Sequence, residues 1–367
     1  MRKTTILAAL ALALAGAWGC KEGSIWKGSR ETVDGVEIVR NPKVPMYPQG
    51  ALELREELTI GKAEGAEEYM FAQLRWLDVD DQGAIFALDM RKTLVSVFSE
   101  TGKYLRSFGR RGQGPGEFQT PFFISLAPSG QVLVGEMSRL SFFDHSGTFL
   151  MSRDNSVEPL AFVKFLDGGA AVGTRMILDE KNPRYEFVLC GSDLKSKAIL
   201  SSSSMPNPSG KFSLFRSVIR GDVLGGHEIV LGSGEDGYRL SVFDATGRLV
   251  RKIENEYNPV PVTDLDIERQ MKQHGFQSRD EITYPHDLPP ILWVYADRDG
   301  RVYVSTWQRD PGSGVSLFNI FDPEGRYLCD CRIPGEPLVF RNGRLYTIVQ
   351  DHDGYQYLKR YQMVWAH

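Results

Sequence analysis

Two stretches of the chain can be laid over one another turn for turn. In the first, Asp80-Asp81-Gln82-Gly83 precedes the apolar run Ala84 to Leu88, then Leu94 to Phe98, the turn Thr101-Gly102, and Tyr104 to Phe108. In the second, Pro128-Ser129-Gly130 precedes Gln131 to Val134, then Leu140 to Asp144, Ser146-Gly147, and Thr148 to Met151. The offset is about 45 residues, the length of one four-stranded propeller blade. Looser copies begin at Asp167-Gly168-Gly169, Gly225-Gly226, Asp297 to Gly300 and Arg341-Asn342-Gly343. Six units predict an all-β fold, a six-bladed β-propeller of four-stranded blades.

The sixth unit shows only three strands before the chain ends, and an open ring would expose unpaired strand edges. Upstream of the first unit lie two candidates, Val36 to Arg40 and Leu52 to Thr59. The second alternates with period two, as a strand with one covered face does. We expect Leu52 to Thr59 to become the outer strand of the last blade and close the ring. The expected organisation is a leader over 1–20, a linker over 21–35, and the propeller over 36–367.

One segment, 255–292, is too long for a plain connection between the fourth and fifth blades. It contains Thr263-Asp264-Leu265-Asp266, a helix start with acidic residues in the first turn, and Gly275 just past the helix end. The stiff Tyr284-Pro285-His286-Asp287-Leu288-Pro289-Pro290 follows. A helical insertion on a regular scaffold is the leading place for a binding surface, with His286 a candidate contact. The densest turn stretch, Gly109 to Pro121, leads from one strand into another; a phosphate-binding loop leads into a helix and carries Gly-Lys-Ser/Thr. We read it as a joint between blades, with Arg110 and Arg111 retained as candidate anion contacts.

The N-terminus has the parts of an export leader: Arg2-Lys3, an apolar run from Ile6 to Leu14, and the small residues Ala15-Gly16-Ala17. Ala17-Trp18-Gly19-Cys20 resembles the bacterial lipobox, which would make Cys20 the lipid-attachment residue. Cleavage after Ala17 is the alternative and would release a soluble periplasmic or secreted protein. The whole chain carries a net charge of −4, and without Arg2 and Lys3 the balance is −6. That excludes a general nucleic-acid grip, which needs concentrated positive charge. Cys190, Cys329 and Cys331 remain; the last two would share one face of a strand and lack the second ligand pair of a zinc site. We expect them to be buried strand residues.

The stretch Gly109 to Pro121 resembles the loop that links blades in NHL-repeat propellers. With Val39 to Pro42, His286 to Pro290, Arg344 to Tyr346 and Tyr355 to Tyr361, the chain after its leader is similar to the six-bladed β-propeller family of bacterial exported lipoproteins. The resemblance implies architecture and export to the cell envelope, with a lipid anchor in the outer membrane. It implies no established activity.

Chemistry is sparse. Asp89 and Glu136 follow corresponding strands of the first two units, which we take as the innermost, and both could face one mouth of the central channel. In lactonase-type propellers, carboxylates at such places hold calcium. Too few oxygen ligands recur in the later units, at Thr174, Gly232 and Thr306, to build that site. The six histidines have no ligand spacing, and there is no Gly-x-Ser-x-Gly elbow. The expectation is a monomeric, non-catalytic binding or scaffold module without a cofactor, for a protein, peptide or glycan. The alternative is a calcium-dependent hydrolase using Asp89 and Glu136.

Overall fold

The computed structural model describes residues 26–48, 50–157, 159–179, 182–205, 210–216, 218–235, 237–309 and 315–366. The leader and Cys20 lie outside the described residues. Six antiparallel sheets form the blades, each running from an inner strand at the axis to an outer strand at the rim. The inner strands are Leu74–Val79, Phe123–Leu126, Leu160–Phe165, Arg220–Leu224, Trp293–Ala296 and Glu336–Arg341. The apolar runs read as innermost, such as Ile85–Asp89 and Val132–Gly135, are therefore the second strands. The true inner strands are short, and several are enclosed on both faces, so they lack the alternation that marks a half-covered strand.

Alternate residues of each strand serve opposite neighbours. Ile85 and Ala87 pack into the cluster between blades 6 and 1, whereas Phe86 and Leu88 pack between blades 1 and 2. Among the described residues, one such cluster fills each of the six spaces between blades. The Asp/Gly turns of the repeat have a common mechanism. Asp80, Asp144, Asp244, Asp322 and Asp351 each accept backbone amides two and four residues on, folding the hairpin around one carboxylate.

The ring closes as expected. Leu52–Ile60 pairs antiparallel with Gln356–Trp365, from Leu52 opposite Trp365 to Ile60 opposite Leu358. Other N-terminal residues depart from expectation. Ser29–Val33, within the expected linker, forms a hairpin with Val36–Asn41, and Val36–Asn41 adds in parallel to the outer strand of blade 4. Asn41, buried, takes the amide of Tyr327 on its Oδ1 and donates to the Gly325 carbonyl, fastening this extension to blade 5. The chain then crosses the rim of blade 5 through Met46 and Tyr47, whose amides meet the carbonyls of Tyr327 and Leu328.

The insertion folds around the helix Asp264–His274, which has the expected ends. Thr263 caps the amide of Asp266 and Asp266 returns the bond to Thr263, while Gly275 ends the helix at φ 78°. Unexpectedly, the connection between blades 3 and 4 joins it: Phe212–Ser213 pairs in parallel with Ile282–Thr283. Leu214 and Phe215 then pack with Ile267, Ile282 and Leu288 into a seventh apolar cluster.

Candidate binding cleft

In a blade of four antiparallel strands, the loop between the second and third strands and the link leaving the fourth fall on the same face. The insertion, the Gly109 to Pro121 loop, Asp89 and Glu136 therefore share one face of the ring. Gly109 to Pro121 is a joint. Glu117 accepts the Gly114 amide at 2.9 Å and Arg110 Nε at 2.7 Å, so the loop closes on its own carboxylate. Phe118 enters the core between blades 1 and 2, and a β-carbon at Gly109, whose φ is 86°, would lie 2.2 Å from its ring. Arg111 bridges to Phe118 through its backbone, and its exposed side chain has no partner among the described residues.

Asp89 and Glu136 are also staples. Asp89 Oδ1 accepts the amides of Gln73, Arg91 and Lys92, and its Oδ2 accepts that of Ala72. Glu136 Oε1 accepts Gln119 and Thr120, and its Oε2 pairs with Arg139 at 3.1 Å. Calcium would have to displace these donors, so the residues present do not fit the ion. Among the described residues, no three His, Cys, Asp or Glu side chains come together as a metal-ligand set. His286 lies exposed on the insertion, 3.0 Å from Asp287. Cys190, Cys329 and Cys331 are buried free thiols, and burial pushes them up to about 11, about 12 and about 12.

The insertion roofs a cleft of about 290 Å³ between blades 4 and 5. Tyr257, Val260, Leu288, Pro289 and Pro290 form its apolar cover. Its floor is a chain of hydrogen bonds. Tyr238 Oη donates to Asn319 Oδ1 at 2.7 Å, Asn319 Nδ2 donates to Asp330 Oδ1 at 2.7 Å and to Tyr327 Oη at 3.0 Å, and Tyr327 Oη donates to Asp330 Oδ1. Burial raises both phenols above their ordinary range, with Asp330 adding to the effect on Tyr327 and Tyr327 to that on Tyr238, so both remain neutral donors. Among the described residues Asp330 Oδ2 takes no hydrogen bond, and the residue is exposed.

Two residues of the wall hold unused hydrogen-bonding capacity. Asn255 Oδ1 and Trp307 Nε1 are buried without a partner among the described residues, a condition that costs about 1–3 kcal/mol per group when nothing meets it. A concave site with apolar cover, aromatic rings and a few fixed polar groups suits a neutral ligand rich in hydroxyl or amide groups. The lining carries two carboxylates, Asp330 and Glu256, against one ammonium, Lys43, which donates to Asn258 Oδ1 at 2.9 Å, a balance that favours donors over anions. Sequence reading pointed to the cover through the length of 255–292, but Asn319 and Asp330 belong to regular strands, Tyr238 directly precedes one, and none carried a local mark.

The opposite mouth of the channel is polar and narrow, a cavity of about 70 Å³ among Asp78, Ser125, Lys164, Asp222 and Arg341. Asp78 accepts the amide of Leu126 and Asp222 that of Ala296, so each carboxylate holds the inner strand of the next blade. Burial pushes the Asp222 carboxyl up.

The ring of six four-stranded blades defines the chain as a six-bladed β-propeller. Its residues 63–193 match the profile of a family described as 6-bladed beta-propeller, which bears out the resemblance drawn from the repeat and its motifs. No curated protein matches the chain in sequence. Among solved structures, the chain is similar to a protein of Bacteroides fragilis described as exported, with TM-score 0.55 and 10% identity over 89% of this chain and 99% of that one. It is similar to a member of the DUF4221 family from Bacteroides vulgatus, with TM-score 0.55 and 13% identity over 86% and 99%. These likenesses establish the fold.

Proposed function

We propose that the protein is a non-catalytic, exported binding module whose ligand, a peptide or glycan segment of a cell-envelope component, seats in the cleft beneath the insertion. The observation that carries this reading is the cleft itself. A hydrogen-bonded floor with a free carboxylate oxygen on Asp330 lies under an apolar roof that the repeat does not need. The leader over 1–20 supports export, as does the likeness to a Bacteroides fragilis protein described as exported. Lipid attachment at Cys20 would anchor the propeller at the outer membrane, leaving the insertion face to meet its partner.

Cross-linking capture from envelope extracts tests the ligand. The wild-type chain should retain one component that is lost, or held at least tenfold more weakly, with Asp330→Ala and Tyr257→Ala. Equal capture by both variants sinks the cleft as the site. Fractionation of Cys20→Ala tests the anchor: the variant should leave the membrane fraction, and unchanged association refutes lipidation there.

A further inference from the structure

The inner strands carry a second feature that the cleft does not use. Trp76 from blade 1, Phe162 from blade 3 and Trp293 from blade 5 meet across the axis, with Phe162 5.1 Å from Trp76 and 6.2 Å from Trp293. Phe162 sits in a bulge of its strand at φ 55°, a backbone region unfavourable to an aromatic residue. The rings are only half-buried. They form an aromatic floor within the channel.

Against this floor stands an unneutralised cation. The Arg220 guanidinium lies 4.1 Å from the centre of the Trp293 ring and makes no hydrogen bond or ion pair among the described residues. Its nitrogens are not among the atoms sealed from solvent without a partner. Burying a guanidinium without a counter-ion is unfavourable, and a ring face compensates only part of that cost. An incoming carboxylate can take two parallel bonds from the guanidinium fork.

We propose that Arg220 forms an anion-binding site at the insertion end of the channel for a carboxylate carried on a flat apolar group. The carboxylate pairs with Arg220 while the apolar group lies on Phe162 and Trp293. The site is separate from the blade 4/5 cleft and does not depend on a ligand there.

Titration of the full chain with benzoate, benzamide and inorganic phosphate, followed by tryptophan fluorescence and by melting temperature, tests the site. Benzoate should bind saturably and at least about tenfold more tightly than benzamide. Arg220→Met should weaken benzoate about 10–100-fold, the loss expected for a charge-assisted pair, and leave benzamide unchanged. Without ligand, Arg220→Met should melt no lower than wild type, because it removes a half-buried charge that has no counter-ion among the described residues. Arg220→Lys, which keeps the charge but not the fork, should bind benzoate at an intermediate strength and supplies the same comparison if the methionine variant fails to fold. Absence of benzoate binding, equal binding of benzoate and benzamide, or binding of phosphate alone would overturn the assignment. A lower melting temperature for Arg220→Met would show that the guanidinium serves the fold instead.

Discussion

Closure of the ring by Leu52–Ile60 predicts that stability depends on where along this strand a charge is removed. Glu57 accepts Arg344 Nε at 3.0 Å and Arg360 Nε at 3.1 Å. The Arg360 side chain is only 9% exposed, and the same guanidinium donates at 2.6 Å to the carbonyl of Glu100 in the neighbouring blade 1. Glu57 thus ties the added strand, the strand beside it and the next blade together. Glu57→Ala removes two charge-assisted bonds and leaves Arg360 with one neutral acceptor. A buried pair broken from one side costs about 3–5 kcal/mol, and the remaining acceptor and partial exposure bring the expectation to about 2 kcal/mol. With a urea slope of ~3 kcal/mol/M, the unfolding midpoint should fall by about 0.7 M. Glu53→Ala, on the same strand, is the control: Glu53 pairs only with Arg55, both more than half exposed, so the shift should stay within ~0.2 M. If the two variants unfold alike, the ring is not fastened through Glu57 and the reasoning fails.

Two further outcomes follow from buried groups. Burial raises the Glu186 carboxyl, but hydrogen bonds from Arg175 and Arg184 outweigh it and hold the group below the ordinary glutamate range. Its stabilisation is therefore present above the ordinary value and lost as pH falls through the lowered one. Glu186→Gln should cost about 2–3 kcal/mol at pH 7, with the gap to wild type closing in acid; a gap in urea midpoint constant with pH refutes this. Cys190, Cys329 and Cys331 should resist a thiol reagent at pH 8 until the protein is unfolded, and prompt reaction of the native chain contradicts their burial.

What the sequence made legible was whatever is local. Each Asp/Gly hairpin is folded by a carboxylate on nearby amides, so Asp144-x-Ser146-Gly147 reads the same from sequence as in the structure. The helix ends at Thr263 and Gly275 were legible for the same reason. The period-two pattern of Leu52 to Thr59 identified the closing strand because one of its faces is covered. The parallel addition of Val36–Asn41 to blade 4 was not legible, since it joins residues more than 200 apart without a turn between them. Nor was the pairing of Phe212–Ser213 with Ile282–Thr283, two residues per strand being too short for any pattern. Asp89 and Glu136 stood out as acidic residues at equivalent positions, but equivalence there reflects a shared staple: both carboxylates hold the backbone that enters an inner strand.

The repeat explains where a binding surface can be added at all. Six clusters between blades are satisfied by regular strands, so a substitution within them disturbs two blades at once. A link between blades has no such constraint, because it leaves and re-enters on one face. The described residues 210–216 and the segment 255–292 lie in two successive links of this kind. Together they bury Leu214, Phe215, Ile267, Ile282 and Leu288, and Trp307 of blade 5 packs on Phe215 at 5.2 Å. This seventh core fixes the roof against the strand that carries the cleft wall. A roof held this way loses little freedom when a ligand enters beneath it, and such preorganisation is what converts a modest cleft into a specific one.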